Sequence, residues 1–88
     1  MKIEIYGRDH CPYCVNAKKA FQSAGYKYTE HTIGKGHTKE DVQKRVDALG
    51  IPVVISTVPQ IFIDDEYIGG YTDLVKRFEW AKNFHKNK

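Results

Sequence analysis

The sequence predicts an α/β protein: one central four-stranded mixed sheet flanked by three helices, in the order β-α-β-α-β-β-α. Three observations carry this. Apolar residues repeat at period two in some stretches and at helical spacing in others. A strand–helix–strand half opens the chain, and a hairpin signal followed by a helical stripe closes it. The 88 residues suffice for one domain, read here as 1–88, with no repeat or linker.

Ile3, Ile5 and Gly7 alternate with Lys2, Glu4 and Tyr6, which predicts a strand over residues 2–6. Cys14, Ala17, Phe21 and Ala24 then recur at helical spacing, with Lys18, Lys19 and Gln22 on the other faces. Gly25 stops that helix, and residues 26–31 have the aromatic and threonine content of a second, parallel strand. Gly34-Lys35-Gly36 is a loop. Thr38, with Asp41 three residues on, marks a second helix whose stripe is Val42, Val46 and Leu49 and whose stop is Gly50. Residues 51–58 are mostly apolar, but Pro52 and Pro59 interrupt the run, so they read as an irregular buried segment. Residues 60–64 and 66–69 form a hairpin around Asp64-Asp65. Thr72 or Asp73 caps a last helix that turns Leu74, Val75, Phe78 and Ala81 inward; Phe84 extends that face and residues 82–88 fray.

Apolar residues make up 41% of the chain and charged ones 28%, a balance that excludes a disordered tail. No apolar run approaches the length of a membrane span, and no secretory leader is expected at the N-terminus. The net charge of +3 suits a small anionic ligand as well as nucleic acid. Trp80 and the tyrosines form no basic-aromatic platform, so nucleic-acid binding is not expected.

The cysteines are more informative. Cys11 and Cys14 are the only two, and they enclose a loop too short to staple a fold. A chain with so few cysteines belongs in a reducing compartment, the cytoplasm, with chemistry at the pair. Cys11-Pro12-Tyr13-Cys14 stands where the first strand hands over to the first helix. Cys11 falls at the helix cap and Pro12 at the first helical position. Unpaired backbone N–H groups and the positive end of the helix dipole then face the Cys11 sulfur and favour its thiolate. Cys11 is the exposed nucleophile, and Cys14, one turn further in, resolves the mixed disulfide. Cys11, Cys14, His31 and His37 also approach a zinc-finger spacing. Gly34 and Gly36 separate the histidines, and residues outside the spacing carry their own core pattern, so no metal is expected. His10 adjoins Cys11, but none of the four histidines has the spacing of a general base.

Three separated motifs, Cys11-Pro12-Tyr13-Cys14 preceded by Arg8, Thr57-Val58-Pro59-Gln60-Ile61-Phe62-Ile63, and Gly69-Gly70-Tyr71-Thr72-Asp73, are similar in order and register to those of dithiol glutaredoxins of the thioredoxin superfamily. In size the chain resembles the short glutaredoxins of bacteria and their phages. The resemblance implies a thioredoxin-like fold. It also implies a glutathione-dependent thiol–disulfide oxidoreductase that reduces protein disulfides and glutathionylated proteins, ribonucleotide reductase being one plausible acceptor. Such a protein acts as a monomer and carries no bound cofactor, glutathione being the co-substrate. In the resemblance, the Val58 backbone pairs with the glutathione cysteine like an added strand, beside Thr57 and a Pro59 that is cis in the superfamily. Gly69-Gly70 lets the chain pass close to the ligand. Thr72 and Asp73 hold the γ-glutamyl end, or act only as helix caps, and both roles can coexist. Arg8 stabilises the thiolate, holds the glycyl carboxylate, or is a solvated charge, and Tyr13 walls the groove. The chain departs from the family pattern in Ile51-Pro52-Val53-Val54-Ile55-Ser56, where family members often carry polar or basic residues. Lys35, Lys39 and Arg45 are then the candidates for a glycyl-carboxylate clamp. This departure keeps open a glutaredoxin-like redoxin reduced by thioredoxin reductase.

Overall fold

The computed structural model describes residues 1–78 and Ala81. Seven elements follow in order: β1 (Ile3–Gly7), α1 (Pro12–Ser23), β2 (Thr29–Thr32), α2 (Lys39–Ala48), β3 (Gln60–Ile63), β4 (Glu66–Gly69) and α3 (Tyr71–Arg77). The strands form one sheet in the order β2-β1-β3-β4. β1 runs parallel to β2 and antiparallel to β3, and β3 runs antiparallel to β4. The predicted mixed sheet with three helices is therefore the observed architecture.

Alternation in the two central strands divides the core. Ile3 and Ile5 of β1, with Ile61 and Ile63 of β3, pack against Ala17, Ala20 and Phe21 of α1 and Leu74 of α3. Tyr6 and Phe62 point the other way, onto Val42 and Val46 of α2 together with Ile55. Two helices thus cover one face and one covers the other. At 25 cal/mol per Å², each fully buried Phe or Ile contributes about 2 kcal/mol.

The second face also holds a buried charge. Glu4 is 8% exposed. Arg45 of α2 donates to Glu4 Oε1 and to the Tyr6 hydroxyl, both at 3.0 Å, and its guanidinium lies 4.0 Å from the centroid of the Phe62 ring. His31 Nε2 lies 3.2 Å from the same carboxylate oxygen. One guanidinium thereby ties α2 to β1, flattened on an aromatic face as arginine allows. Burial opposes the charge on Glu4, but the hydrogen bond and charge of Arg45, joined by the hydrogen bond of His31 and the charge of Lys2, outweigh it and hold the carboxyl below its ordinary value of 4.5.

Several boundaries differ from expectation. β1 begins one residue later than predicted and runs to Gly7. Residues 26–28 are not strand: the Tyr26 N–H donates to Phe21 O at 2.9 Å and Gly25, at φ +82, donates to Gln22 O, so this stretch closes the end of α1. The cap of α3 is Gly70, not Thr72 or Asp73; Asp73 sits three residues in and accepts from the Gly70 N–H at 3.0 Å. Residues 51–58 are irregular as expected, but only Ile55 is buried, while Ile51, Val53 and Val58 are half-buried and Val54 is exposed. The Asp64-Asp65 turn matches, both residues having the positive φ of a type I′ hairpin. Thr38 and Asp41 form the expected reciprocal cap of α2. Leu49 lies past the end of α2 and is exposed, so the stripe of that helix is Val42 and Val46 alone. Phe84 and residues 82–88 lie outside the described residues.

The Glu4 environment sets a pH dependence. The folded carboxyl stays ionised where the unfolded one takes up a proton, so its stabilisation is complete above the ordinary value and is lost as pH falls through the folded value. Glu4→Gln is expected to cost about 1–2 kcal/mol at pH 7 and to flatten the decline in urea midpoint between about pH 5 and 3. An unchanged acid slope would contradict this assignment.

Candidate active site

Strand β1 ends at Gly7, and the chain turns through Arg8, Asp9 and His10 before α1 begins. His10 takes φ +59, the left-handed conformation that lets so short a turn deliver Cys11 to the cap position. Cys11 is extended, with φ −113 and ψ 106, and its Sγ accepts the Cys14 N–H at 3.1 Å. Pro12 occupies the first turn, where no donor is needed. The sulfur therefore takes the place of the oxygen that usually caps a helix. Cys14 is 2% exposed, and Cys11 is half-buried. The two are joined in a disulfide with their Cα atoms 5.2 Å apart. Of the two cysteines, Cys11 is the more exposed, which is what the expected division into an attacking Cys11 and a resolving Cys14 requires. Gly7 eases this packing: a Cβ there would lie 3.0 Å from Cys14 Sγ, a contact tighter than most real Cβ contacts.

The second wall comes from the segment before β3. The Val58-Pro59 peptide is cis, and Val58 O lies 3.9 Å from Cys11 Sγ. Gln60, buried at the start of β3, donates to Thr57 O at 2.9 Å and accepts from the Tyr67 hydroxyl at 2.6 Å. These two bonds fix the backbone that faces the sulfur. Burial, and then the negative charge of Asp73, push the Tyr67 phenol up, so it remains a donor.

A groove of about 380 Å³ runs between these walls, with Tyr13, Thr57, Val58, Pro59, Gly70, Thr72 and Asp73 among its lining. All seven are sequence-predicted site residues, and the fold brings them together. The eighth, Arg8, lies instead in an adjoining pocket of about 90 Å³ that shares Thr57, Val58 and Gln60 with the groove and adds Lys39. Of the three cations considered as a clamp, Lys39 is the one in this pocket. Lys35 is paired with Asp9 at 2.9 Å, and Arg45 is held by Glu4. The two glycines have different roles. Gly69 has φ +114, and a Cβ there would fall 2.5 Å from Asp73 Oδ2, so it makes room for that carboxylate. Gly70, at φ −91, is in ordinary contact with its surroundings.

Sequence reasoning alone does not mark Gln60, Tyr67 or Tyr71 as site residues. Gln60 and Tyr71 stand inside the quoted motifs, and Tyr71 stacks on Tyr13 with ring centroids 6.0 Å apart. Only the register of β3 against β4 reveals Tyr67. Of the four residues in the zinc-like spacing, His31 lies 3.2 Å from Glu4, and among the described residues no group of three His, Cys, Asp or Glu side chains is placed to hold a metal ion.

Fold and site together define a thioredoxin-fold protein with a dithiol redox centre. The glutaredoxin family model matches residues 3–68. The chain is 42% identical over 89 residues to glutaredoxin 1 of Escherichia coli (strain K12), covering 93% of this chain and 94% of that protein. Glutaredoxin 1 from Francisella tularensis, in a crystal structure with cacodylate, superposes with a TM-score of 0.74 at 40% identity, covering 93% of this chain and 96% of that one. Reduced E. coli glutaredoxin gives a TM-score of 0.69 at 42% identity, covering 94% and 95%. The chain belongs to the glutaredoxin family, and it is a dithiol thiol–disulfide oxidoreductase.

The unequal exposure of the two sulfurs predicts separable defects. Cys11→Ser abolishes turnover of every disulfide substrate. Cys14→Ser retains turnover of glutathione mixed disulfides and loses reduction of protein disulfides by at least about a hundredfold, since no second thiol remains to release the substrate. Single-turnover assays with each substrate check this, and full protein-disulfide reduction by Cys14→Ser would contradict the resolving role.

Proposed function

We propose that glutathione is the reductant of this chain and binds in the groove between Tyr13, Val58 and Asp73. The carrying observation is the placement of Val58, whose carbonyl lies 3.9 Å from the Cys11 sulfur while its segment floors a groove that ends at Thr72 and Asp73. A tripeptide thiol laid along Val58 as an added strand brings its sulfur to Cys11. Its γ-glutamyl end then meets Thr72 and the Asp73 carboxylate, which is suited to the α-ammonium. Its glycyl carboxylate lies toward Arg8 and Lys39. That pair of cations supplies the clamp missing from residues 51–56, and so favours glutathione over direct reduction by thioredoxin reductase.

The cycle balances with thiols alone. The Cys11 thiolate attacks one sulfur of a substrate disulfide; a mixed disulfide forms, and the other sulfur leaves as a thiolate that takes a proton from solvent. Cys14, deprotonated, attacks Cys11 Sγ, releases the reduced substrate and leaves the Cys11–Cys14 disulfide, having transferred two electrons. Two glutathiones restore the dithiol and leave as glutathione disulfide. No metal or organic cofactor enters this cycle. The substrates are protein disulfides and glutathionylated proteins, with ribonucleotide reductase as one acceptor that the family resemblance supports. The chain acts as a single-domain monomer in the cytoplasm.

Asp73→Ala tests the site. It is expected to raise the KM for glutathione about tenfold, the loss of one charge-assisted contact, with kcat nearly unchanged. The cost to folding is about 1 kcal/mol, from the lost acceptor for the Gly70 N–H. Turnover of a small mixed disulfide at varied glutathione measures the first, and urea unfolding the second. An unchanged KM removes Asp73 from the ligand.

A further inference from the structure

The apolar run at 51–55, which departs from the family pattern, takes an in-and-out arrangement. Ile55 is buried, and Ile51 and Val53 pack on the core beside α2. Val54 between them is 82% exposed, more than any other large apolar residue described. A lone exposed valine is ordinary on a protein surface. Two features set this one apart. First, it is held there. The Gln43 side chain on α2 donates to Val53 O at 2.8 Å and accepts from the Ile55 N–H at 2.8 Å, so one amide brackets Val54 from both sides. Gln43 is itself steadied by Asp47 at 3.0 Å. Second, Val54 stands on the rim of the groove that holds Val58 and Tyr13, and Tyr13 is itself 59% exposed. The opening beside Cys11 thus has an apolar rim that a strap collapsed onto the core would not provide.

We propose that Val54, presented by Gln43, is a specificity-determining contact for protein substrates. With Tyr13 it takes an apolar side chain close in sequence to the reactive cysteine of an extended substrate segment. The occupant is a peptide chain, argued from the continuity of this rim with the redox groove: Val54 and Tyr13 line the same groove as Val58, beside the place given to glutathione. The inference rests on the reading that the groove receives the reacting disulfide, and it adds which flanking residues that disulfide brings.

Two glutathionylated pentapeptides, Gly-Leu-Cys-Leu-Gly and Gly-Ser-Cys-Ser-Gly, test it with the full chain and glutathione as reductant. The wild-type chain is expected to favour the leucine peptide about five- to tenfold in kcat/KM, the scale of one partly covered apolar contact. Val54→Thr, nearly isosteric, and Val54→Asp are both expected to bring that ratio to about one. Gln43→Ala, which frees the strap, is expected to lower the ratio while Val54 itself remains. A ratio retained in both Val54 variants would overturn the proposal. So would a concentration-dependent dimer, seen by sedimentation, that the Val54 variants abolish, because that surface then belongs to a second copy. If the wild-type chain turned over neither peptide nor a small glutathione mixed disulfide, the glutathione reading would fall first and this inference with it.

Discussion

A sulfur atom caps the first helix, and the remainder of the site is built around that substitution. A hydroxyl or carboxylate usually satisfies the first N–H groups of a helix. Here Cys11 Sγ accepts the Cys14 N–H at 3.1 Å, and Pro12 gives up its donor at no cost. The thiol form is a poor acceptor and the thiolate a strong one, so the same geometry that starts α1 favours the reactive ionisation state. Stability of the helix start and reactivity of the sulfur are therefore one interaction seen twice.

The fold supplies the constraints that hold this sulfur at the mouth of a groove. β1 ends in Gly7, where a Cβ would press on Cys14 Sγ and oblige it to shift by a few tenths of an ångström. The opposite wall must be rigid, and Gln60 achieves this by spanning from Thr57 O to the Tyr67 hydroxyl. On the far face of the sheet, Arg45 ties α2 to Glu4 of β1, while Gln43 of the same helix brackets the strap that leads into Thr57. The sulfurs and the apolar rim of the groove thus descend from different helices. α1 carries the sulfurs, and α2 carries the strap on the groove's rim.

Much of this was legible in the sequence, where local rules decide. The period-two isoleucines at 3, 5, 61 and 63 identify the central strands, and Thr38 with Asp41 marks the start of α2. The position of Cys11 at a strand-to-helix handover gives its capping role directly. The parts that were not legible depend on contacts far apart in the chain. Residues 26–28 have strand composition, yet β1 offers β2 only a four-residue register from Glu4 to Gly7, and Tyr26 closes α1 instead. Thr72 and Asp73 are both good caps by type, and Gly70 takes the position because the Asp73 carboxylate reaches back to its N–H. Nothing local marks Glu4 as buried, since its partner Arg45 is 41 positions away. The exposure of Val54 is likewise invisible without Gln43, whose side chain must be seen to bracket it.

The most direct measurement is the rate at which iodoacetamide alkylates Cys11 in the reduced Cys14→Ser chain, followed from pH 4 to pH 10. If the helix start stabilises the anion, the rate follows a single titration with a midpoint below about 7.5. A midpoint near 8.5, the value of a free cysteine, would show that the cap confers no anionic preference and would contradict the account.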